Sequence, residues 1–304
     1  MARGEGSKAD PQGLWASFTL PGTIWLVALF VVPFFAIAAI AFGGVDPIFG
    51  SAVPRWNPLT WNFTAAHEVI NEIVNGSLRG VFVRTFGYVS LALILCFVIG
   101  YPVAYYIARH ASRTKNLLLI LLILPFWISY LMRMLAWVNL LAPDGFVNRF
   151  LQFAHIIDQP YGFLDGQSST VILALVYGYI PYLILPLYAS LDRIDKSQIE
   201  AARDLGASPF RAFLHVTLPL SKTGILGGCV LIALPMFGDY YTPNLVSGAP
   251  TTSMLGNQID LYFHSTSQPT IGAALTILLS LFLVVLMGYY LITVARATRN
   301  LESV

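Results

Sequence analysis

EAARDLGASPFRAFLHVTLP occupies residues 200–219 of a 304-residue chain. The run is polar, charged and compatible with helix, and an apolar stretch long enough to cross a bilayer lies on each side of it, 170–191 before and a stretch from about 223 after. Asp195 followed three residues later by Gln198 is a capping signal for a short helix starting near Lys196. By spacing, Ile199, Ala202 and Leu205 share one face of that helix, and Glu200, Arg203 and Asp204 point elsewhere. Gly206 can end it in the left-handed conformation that other residues avoid. Ser208 and Pro209 are a cap and a first-turn residue for a second helix, with Phe210, Phe213 and Leu214 as its apolar face and Leu218-Pro219 closing it. The segment 196–219 is therefore expected as a two-helix knob. Periodicity alone equally accommodates a loop at the lipid headgroups with its Phe side chains dipped into the bilayer.

Composition makes the surroundings of the knob a membrane protein. Hydrophobic residues are 57% of the chain and charged residues 11%, against about 25% charged in a soluble domain. Four further runs are long enough to span, which makes six with the two that flank the knob. The first, 18–42, has small residues at Ala36, Ala38, Ala39 and Ala41 that resemble a signal-peptide cleavage site, but it is too long for a signal h-region and is expected to be retained. The second and third, 86–108 and 117–141, are joined by a short basic link and are expected as antiparallel neighbours; the fourth, 170–191, contains Pro181 and Pro186. The fifth, from about 223, is expected to be the most broken, interrupted by Gly224, Gly227, Gly228, Pro235, Gly238 and Pro243, and the sixth covers 271–295. The polar segment 43–80 is expected to lie outside the membrane with little packed core of its own. The organisation expected is an N-terminal tail over 1–17, a six-helix membrane domain over 18–295 and a C-terminal tail over 296–304.

Six spans place both tails on one side. Of the Lys and Arg residues, 12 fall on that side, five of them between 192 and 222, and 4 on the other (Arg55, Arg79, Arg84 and Arg149). The positive-inside rule then puts both termini and the knob in the cytoplasm.

Charge inside a span is costly and usually faces a cavity. Asp239 sits in FGDYY beside the Gly and Pro breaks of the fifth span, and interrupted helices are the best sequence pointer to a transporter's binding site. With Tyr240 and Tyr241 next to it, and with Trp127, Tyr130 and Trp137 in the third span, it suits a cation through charge pairing and ring faces. Two plainer readings stand beside this one: Asp239 as a solvated residue at the outer end of the span, and the Trp and Tyr residues as interfacial anchors. Arg133, in the third span, is either a structural partner of a carboxylate or of backbone carbonyls, or, if it faces the path, a sign of an anionic cargo. The two cysteines, Cys96 and Cys229, lie in apolar runs and read as small buried hydrophobes. The five His residues (67, 110, 155, 215 and 264) are scattered over separate loops, which argues against a membrane-embedded enzyme built on clustered ligands. The sequence has no G-x-x-x-x-G-K-[ST] phosphate loop, so the chain is not expected to hydrolyse ATP.

Glu200-Ala201-Ala202, three residues, Gly206, nine residues, Val216-Thr217-Leu218-Pro219 resembles the EAA motif of ABC-importer permeases, with Val216 where that motif has Ile. LPFWISYLMRMLAW in the third span, VYGYIPYLILPLYASLDRIDKSQIEAARDLGAS across the fourth and GGCVLIALPMFGDYYTPNLVSGAP after the knob are similar to the spermidine/putrescine permease subunits. The resemblance covers essentially the six-span region. It implies an all-α, type I importer permease fold with a cytoplasmic coupling segment, in a bacterial inner membrane. It implies that Glu200, Ala201, Ala202, Gly206, Leu218 and Pro219 contact a dimeric ATPase that binds ATP and Mg, this chain having no cofactor. A second homologous permease subunit and an extracytoplasmic binding protein are the other partners it implies, with no nucleic acid. Relatives that carry thiamine, iron or oxyanions share the fold, so the cargo is less well specified than the energy source.

Overall fold

The structure, a computed structural model, describes residues 11–111, 113–264 and 268–302, of which 11–17 and 296–302 by their backbone alone. Residues 1–10 of the expected N-terminal tail lie outside the described residues, Arg3 and Lys8 among them. The first helix, α1 (Pro11–Ala41), starts within that tail, ahead of the expected start at 18.

After α1 the chain forms a minimal antiparallel pair, β1 (Gly44–Val45) with β2 (Ala52–Val53), in the register Gly44 to Val53. Next come α2 (Thr64–Asn75), α3 (Leu78–Arg109), α4 (Lys115–Ile123), α5 (Tyr130–Leu141), α6 (Phe146–Phe153) and α7 (Ser168–Asp192). The knob follows as α8 (Lys196–Asp204), α9 (Pro209–Ala212), a π-helical turn Phe213–Thr217 and α10 (Leu218–Leu220). The chain ends with α11 (Lys222–Phe237), α12 (Tyr241–Val246), α13 (Leu255–His264) and α14 (Pro269–Glu302), which runs on through the expected C-terminal tail.

Among the described residues, four helices are long and apolar enough to cross a membrane alone: Phe18–Ala41 of α1, α3, α7 and Pro269–Ala295 of α14. Two bent pairs bring the count to six. The third span departs from the straight helix expected over 117–141, because Lys115–Trp127 meets Tyr130–Phe153 at 91°. Pro125 opens a 3-10 turn over Leu124–Trp127, and Ile128 and Ser129 then take extended backbone that no helix can pass through. In the fifth, Pro209–Leu220 meets Lys222–Phe237 at 61°. The glycines of that span do not break it: Gly224, Gly227 and Gly228 all lie inside the continuous helix α11. Their missing side chains permit close packing instead, since a Cβ on Gly224 would lie 2.3 Å from Cβ of Ser190, and one on Gly228 2.7 Å from Cδ1 of Leu183. The break comes at 238–240, between α11 and α12.

The described chain divides into two compact units, one drawn from Met1–Val69 and Tyr262–Leu278, the other from Ile70–Leu261 and Leu279–Val304. In the first, the segment after α1 is better packed than its composition suggests. Phe42 stacks between Trp61 and Phe63, with ring centroids 4.9 and 4.8 Å away, and the N–H of Arg55 donates to the carbonyl of Ala39. The larger unit has its core where α3, α7 and α11 meet, around Ala92, Cys96, Leu175, Leu183, Leu187, Ile232 and Met236. Lys115 at the start of α4 pairs with Asp192 at the end of α7 at 2.8 Å, which holds these two helix ends together.

Candidate functional site

Two places in the larger unit carry the residues singled out from the sequence. The knob is built as its turn chemistry predicts. The carboxylate of Asp195 accepts from the N–H of Ser197 at 3.0 Å and caps α8, and that bond holds the carboxyl below its ordinary value. Gly206 has φ of +87°, and the N–H groups of Gly206 and Ala207 donate to the carbonyls of Arg203 and Ala202. The Ser208 hydroxyl accepts from the N–H of Arg211, with Pro209 in the first turn of α9.

The faces differ from the expected ones. Ile199 and Ala202 are half-buried, but Leu205 is 89% exposed. Phe213 turns inward, edge-on to Tyr101 and Tyr105 of α3 at 5.7 Å each, whereas Phe210 is 68% exposed. Periodicity groups side chains on a face but does not say which neighbour that face meets; here α3 takes Phe213 and leaves Leu205 and Phe210 outside. Glu200, Ala201, Gly206 and Pro219 are exposed and Ala202 and Leu218 half-buried, Leu218 against the core. Leu218-Pro219 does not close the second helix: the π turn carries it through α10 to the bend at Ser221, whose hydroxyl meets that of Tyr101 at 2.9 Å.

The second place is the break after α11. Asp239 is buried, at 7% exposure, and is not a solvated loop residue. Three hydroxyls surround its Oδ2, those of Tyr130 of α5 at 2.9 Å, Tyr179 of α7 at 3.2 Å and Thr242 of α12 at 2.6 Å, and the Tyr130 and Thr242 hydroxyls also meet at 2.5 Å, one donating to the other. Its Oδ1 accepts from the N–H of Thr242 at 3.0 Å. One carboxylate thus ties three helices together, and burial without these partners would be costly. Behind it, Asn257 of α13 donates to the carbonyl of Tyr240 and to Asn244, and Gly256 comes so close that a Cβ would lie 2.6 Å from the carbonyl oxygen of Gly238.

Of the expected path residues, Tyr130 is brought to Asp239. Tyr240 and Tyr241 stack on each other with centroids 4.0 Å apart, Trp137 packs edge-on to Tyr177, and Trp127 is 84% exposed. Tyr179 and Thr242 were not singled out from the sequence. Thr242 is signalled by its place three residues after an Asp beside a helix start, a local cap pattern; Tyr179 is 60 residues from Asp239 and carries no such signal. Arg133 is 5% exposed, its guanidinium lies 5.4 Å from the centre of the Tyr130 ring, and its Nε has no hydrogen-bond partner.

With a two-helix knob between two membrane-crossing limbs and a buried polar centre at a broken span, the chain can be set against known proteins. Residues 97–299 match the family described as binding-protein-dependent transport system inner membrane component. The chain belongs to that family. It is 37% identical over 223 residues to the spermidine/putrescine transport system permease protein PotB of Escherichia coli (strain K12), covering 73% of this chain and 79% of that protein. It is 31% identical over 266 residues to PotB of Haemophilus influenzae, covering 88% and 89%. Among solved structures, a chain of a bacterial alginate ABC transporter in complex with an alginate-bound periplasmic protein superposes with a TM-score of 0.72 at 18% identity, over 92% of this chain and 93% of that one. An inward-facing MetNI methionine ABC transporter chain gives 0.53 at 19% identity, over 72% and 94%. The fold is that of a type I ABC-importer permease, all-α and multi-pass in the membrane.

Proposed function

We propose that this permease subunit moves polyamines, spermidine and putrescine among them, into a bacterial cell under the power of a separate ATPase. The observation that carries the cargo assignment is Asp239, a carboxylate buried at the break of the fifth span in a chain 37% identical to a spermidine/putrescine permease. A polyamine is a flexible string of ammonium groups, and a carboxylate beside tyrosines offers it charge pairing and ring faces. Tyr130 belongs to the path with Asp239; Tyr240, Tyr241, Trp127 and Trp137 form its aromatic approach.

The energy enters at the knob. Glu200, Ala201, Ala202, Gly206, Leu218 and Pro219 are the ATPase contacts, with Leu205 and Phe210 added by their exposure. An extracytoplasmic binding protein delivers the cargo to the outer loops. Closure of the ATPase pair around ATP and Mg pushes the knobs of this chain and of a second, homologous permease subunit, and opens the path outward; hydrolysis returns it inward, and differential binding of the two states drives the cycle. Both termini are cytoplasmic in this arrangement, which the excess of Lys and Arg on their side supports. The subunit itself is non-catalytic.

Uptake of labelled spermidine by the reconstituted importer, challenged with unlabelled putrescine, thiamine, ferric iron or molybdate, tests the cargo. Competition by putrescine alone is expected; competition by one of the others would overturn the assignment.

A further inference from the structure

The carboxylate proposed to bind an ammonium is already saturated in this structure. Three hydroxyls converge on Oδ2 of Asp239, two of them, from Tyr130 and Thr242, also meeting each other at 2.5 Å, and the backbone N–H of Thr242 takes Oδ1. Two of the hydroxyls come from other helices, Tyr130 on α5 and Tyr179 on α7. Tyr130 reaches Asp239 because α7 has a glycine where its ring passes. A Cβ on Gly178 would lie 2.8 Å from Cε2 of Tyr130 and 3.1 Å from its hydroxyl, so any larger residue would push the phenol off. On the other side of the chain of contacts, Arg133 places its guanidinium over the Tyr130 ring with its Nε unbonded. The ring therefore carries a cation on its face and the carboxylate at its hydroxyl.

We infer that Gly178 and Tyr130 form a notch and latch that keep Asp239 closed when no cargo is present, and that the ligand which opens it is a primary alkylammonium group. A primary ammonium presents three N–H donors on one atom, one or two of which can turn to the carboxylate in place of the Tyr130 hydroxyl. It also brings the full charge that hydroxyls lack, so it can displace them, whereas an oxyanion would meet repulsion from the carboxylate. When the phenol leaves, its donor is lost from Oδ2 at the moment the ammonium supplies one. When the ammonium moves on, the phenol returns and competes it away, so the latch speeds release. Tyr130 starts α5 directly after the extended residues Ile128 and Ser129, where backbone rotation can swing the ring without unwinding a helix. Gly178 acts through Tyr130 and is a positioning residue.

The inference rests on the assignment of Asp239 to the polyamine path, and its test separates the two. Transport of labelled putrescine is measured in proteoliposomes holding the complete importer with its binding protein and ATPase. Tyr130→Phe keeps the ring, the notch and the Arg133 contact but removes the latch hydroxyl. Its KM is expected to fall at least about threefold, because the empty carboxylate has lost a competing donor, while kcat falls because release is slower. Tyr179→Phe, which removes the longer of the two phenol bonds, is expected to shift both constants the same way and less. Gly178→Ala is expected to reproduce Tyr130→Phe, and the double variant to go no further than either. A raised or unchanged KM in both Tyr→Phe variants, in assembled importer, overturns the latch, and so do additive effects of Gly178→Ala and Tyr130→Phe. If Gly178→Ala fails to assemble, the Tyr→Phe pair decides alone. Loss of uptake in Asp239→Asn with KM unmoved in the Tyr→Phe variants discards the latch and keeps the path; unchanged uptake in Asp239→Asn discards both.

Discussion

A methyl group on Gly224 would stand 2.3 Å from Cβ of Ser190 and 3.2 Å from the carbonyl oxygen of Pro186, so neither neighbour can yield without moving α7. On Gly227, one turn-face away, the same methyl would first meet the hydroxyl of Tyr290 at 2.9 Å, the far end of a long side chain. Gly224→Ala is therefore expected to cost about 1–3 kcal/mol of stability, and Gly227→Ala clearly less. Thermal unfolding of the purified permease in detergent reads the difference; equal shifts would mean that α7 and α11 are not packed this closely. These glycines also mark where sequence reading stops at this scale. Three glycines in a membrane span signal either a broken helix or a close-packed one, and the distinction lies in Ser190 and Leu183, more than 30 residues upstream. Asp239 was legible as an intramembrane charge beside a break, and so was Tyr130 as a ring in the third span. Their meeting was not, nor was the part of Tyr179, since two of the helices that converge on the carboxylate, α5 and α7, are distant in sequence and only the fold brings them to it.

At the scale of elements, the knob is the best-read part of the chain because local chemistry writes it. Asp195, Gly206, Ser208 and Pro209 are cap, left-handed turn, cap and first-turn residue, and each does its work within four residues of itself. What local chemistry could not supply was its attachment. Phe213 sits edge-on to Tyr101 and Tyr105, so a push on the knob reaches α3 as well as α11 through the bend at Ser221. Aromatic pairs of this kind contribute about 0.5–1.5 kcal/mol beyond their area. Phe213→Ala is expected to leave ATPase binding in place and to lower uptake per ATP hydrolysed by severalfold, measured in proteoliposomes; unchanged coupling would mean that α3 takes no part in transmission. Gly206→Asp acts differently. A left-handed backbone strains any side chain, and the added carboxylate projects into open space that the ATPase is proposed to fill. Loss of ATPase capture in pull-down is the expected result, and intact capture with intact uptake would remove the knob from the contact. The 91° bend in the third span escaped reading because a single Pro125 is ordinary in a membrane helix, and the extended Ile128 and Ser129 have no strong breaker signature.

For the whole molecule, hydropathy and charge placement were enough to read a multi-pass protein, and the repeat of six apolar runs survives in the structure as four single helices and two bent pairs. Both bends adjoin a place where movement is proposed. One lies between α4 and α5, next to Tyr130, and the other between α10 and α11, next to the knob. The α11 helix then runs from the second bend to within two residues of Asp239, so the segment proposed to receive the energy and the carboxylate flank one helix. In the proposed cycle a push at the knob acts on a carboxylate that holds the cargo. ATP-dependent uptake of labelled spermidine by the complete importer carrying Asp239→Asn tests it most directly, with ATPase capture as the control for assembly. An uptake at least about tenfold below wild type with capture intact is expected, and wild-type uptake by that variant would remove Asp239 from the transport cycle.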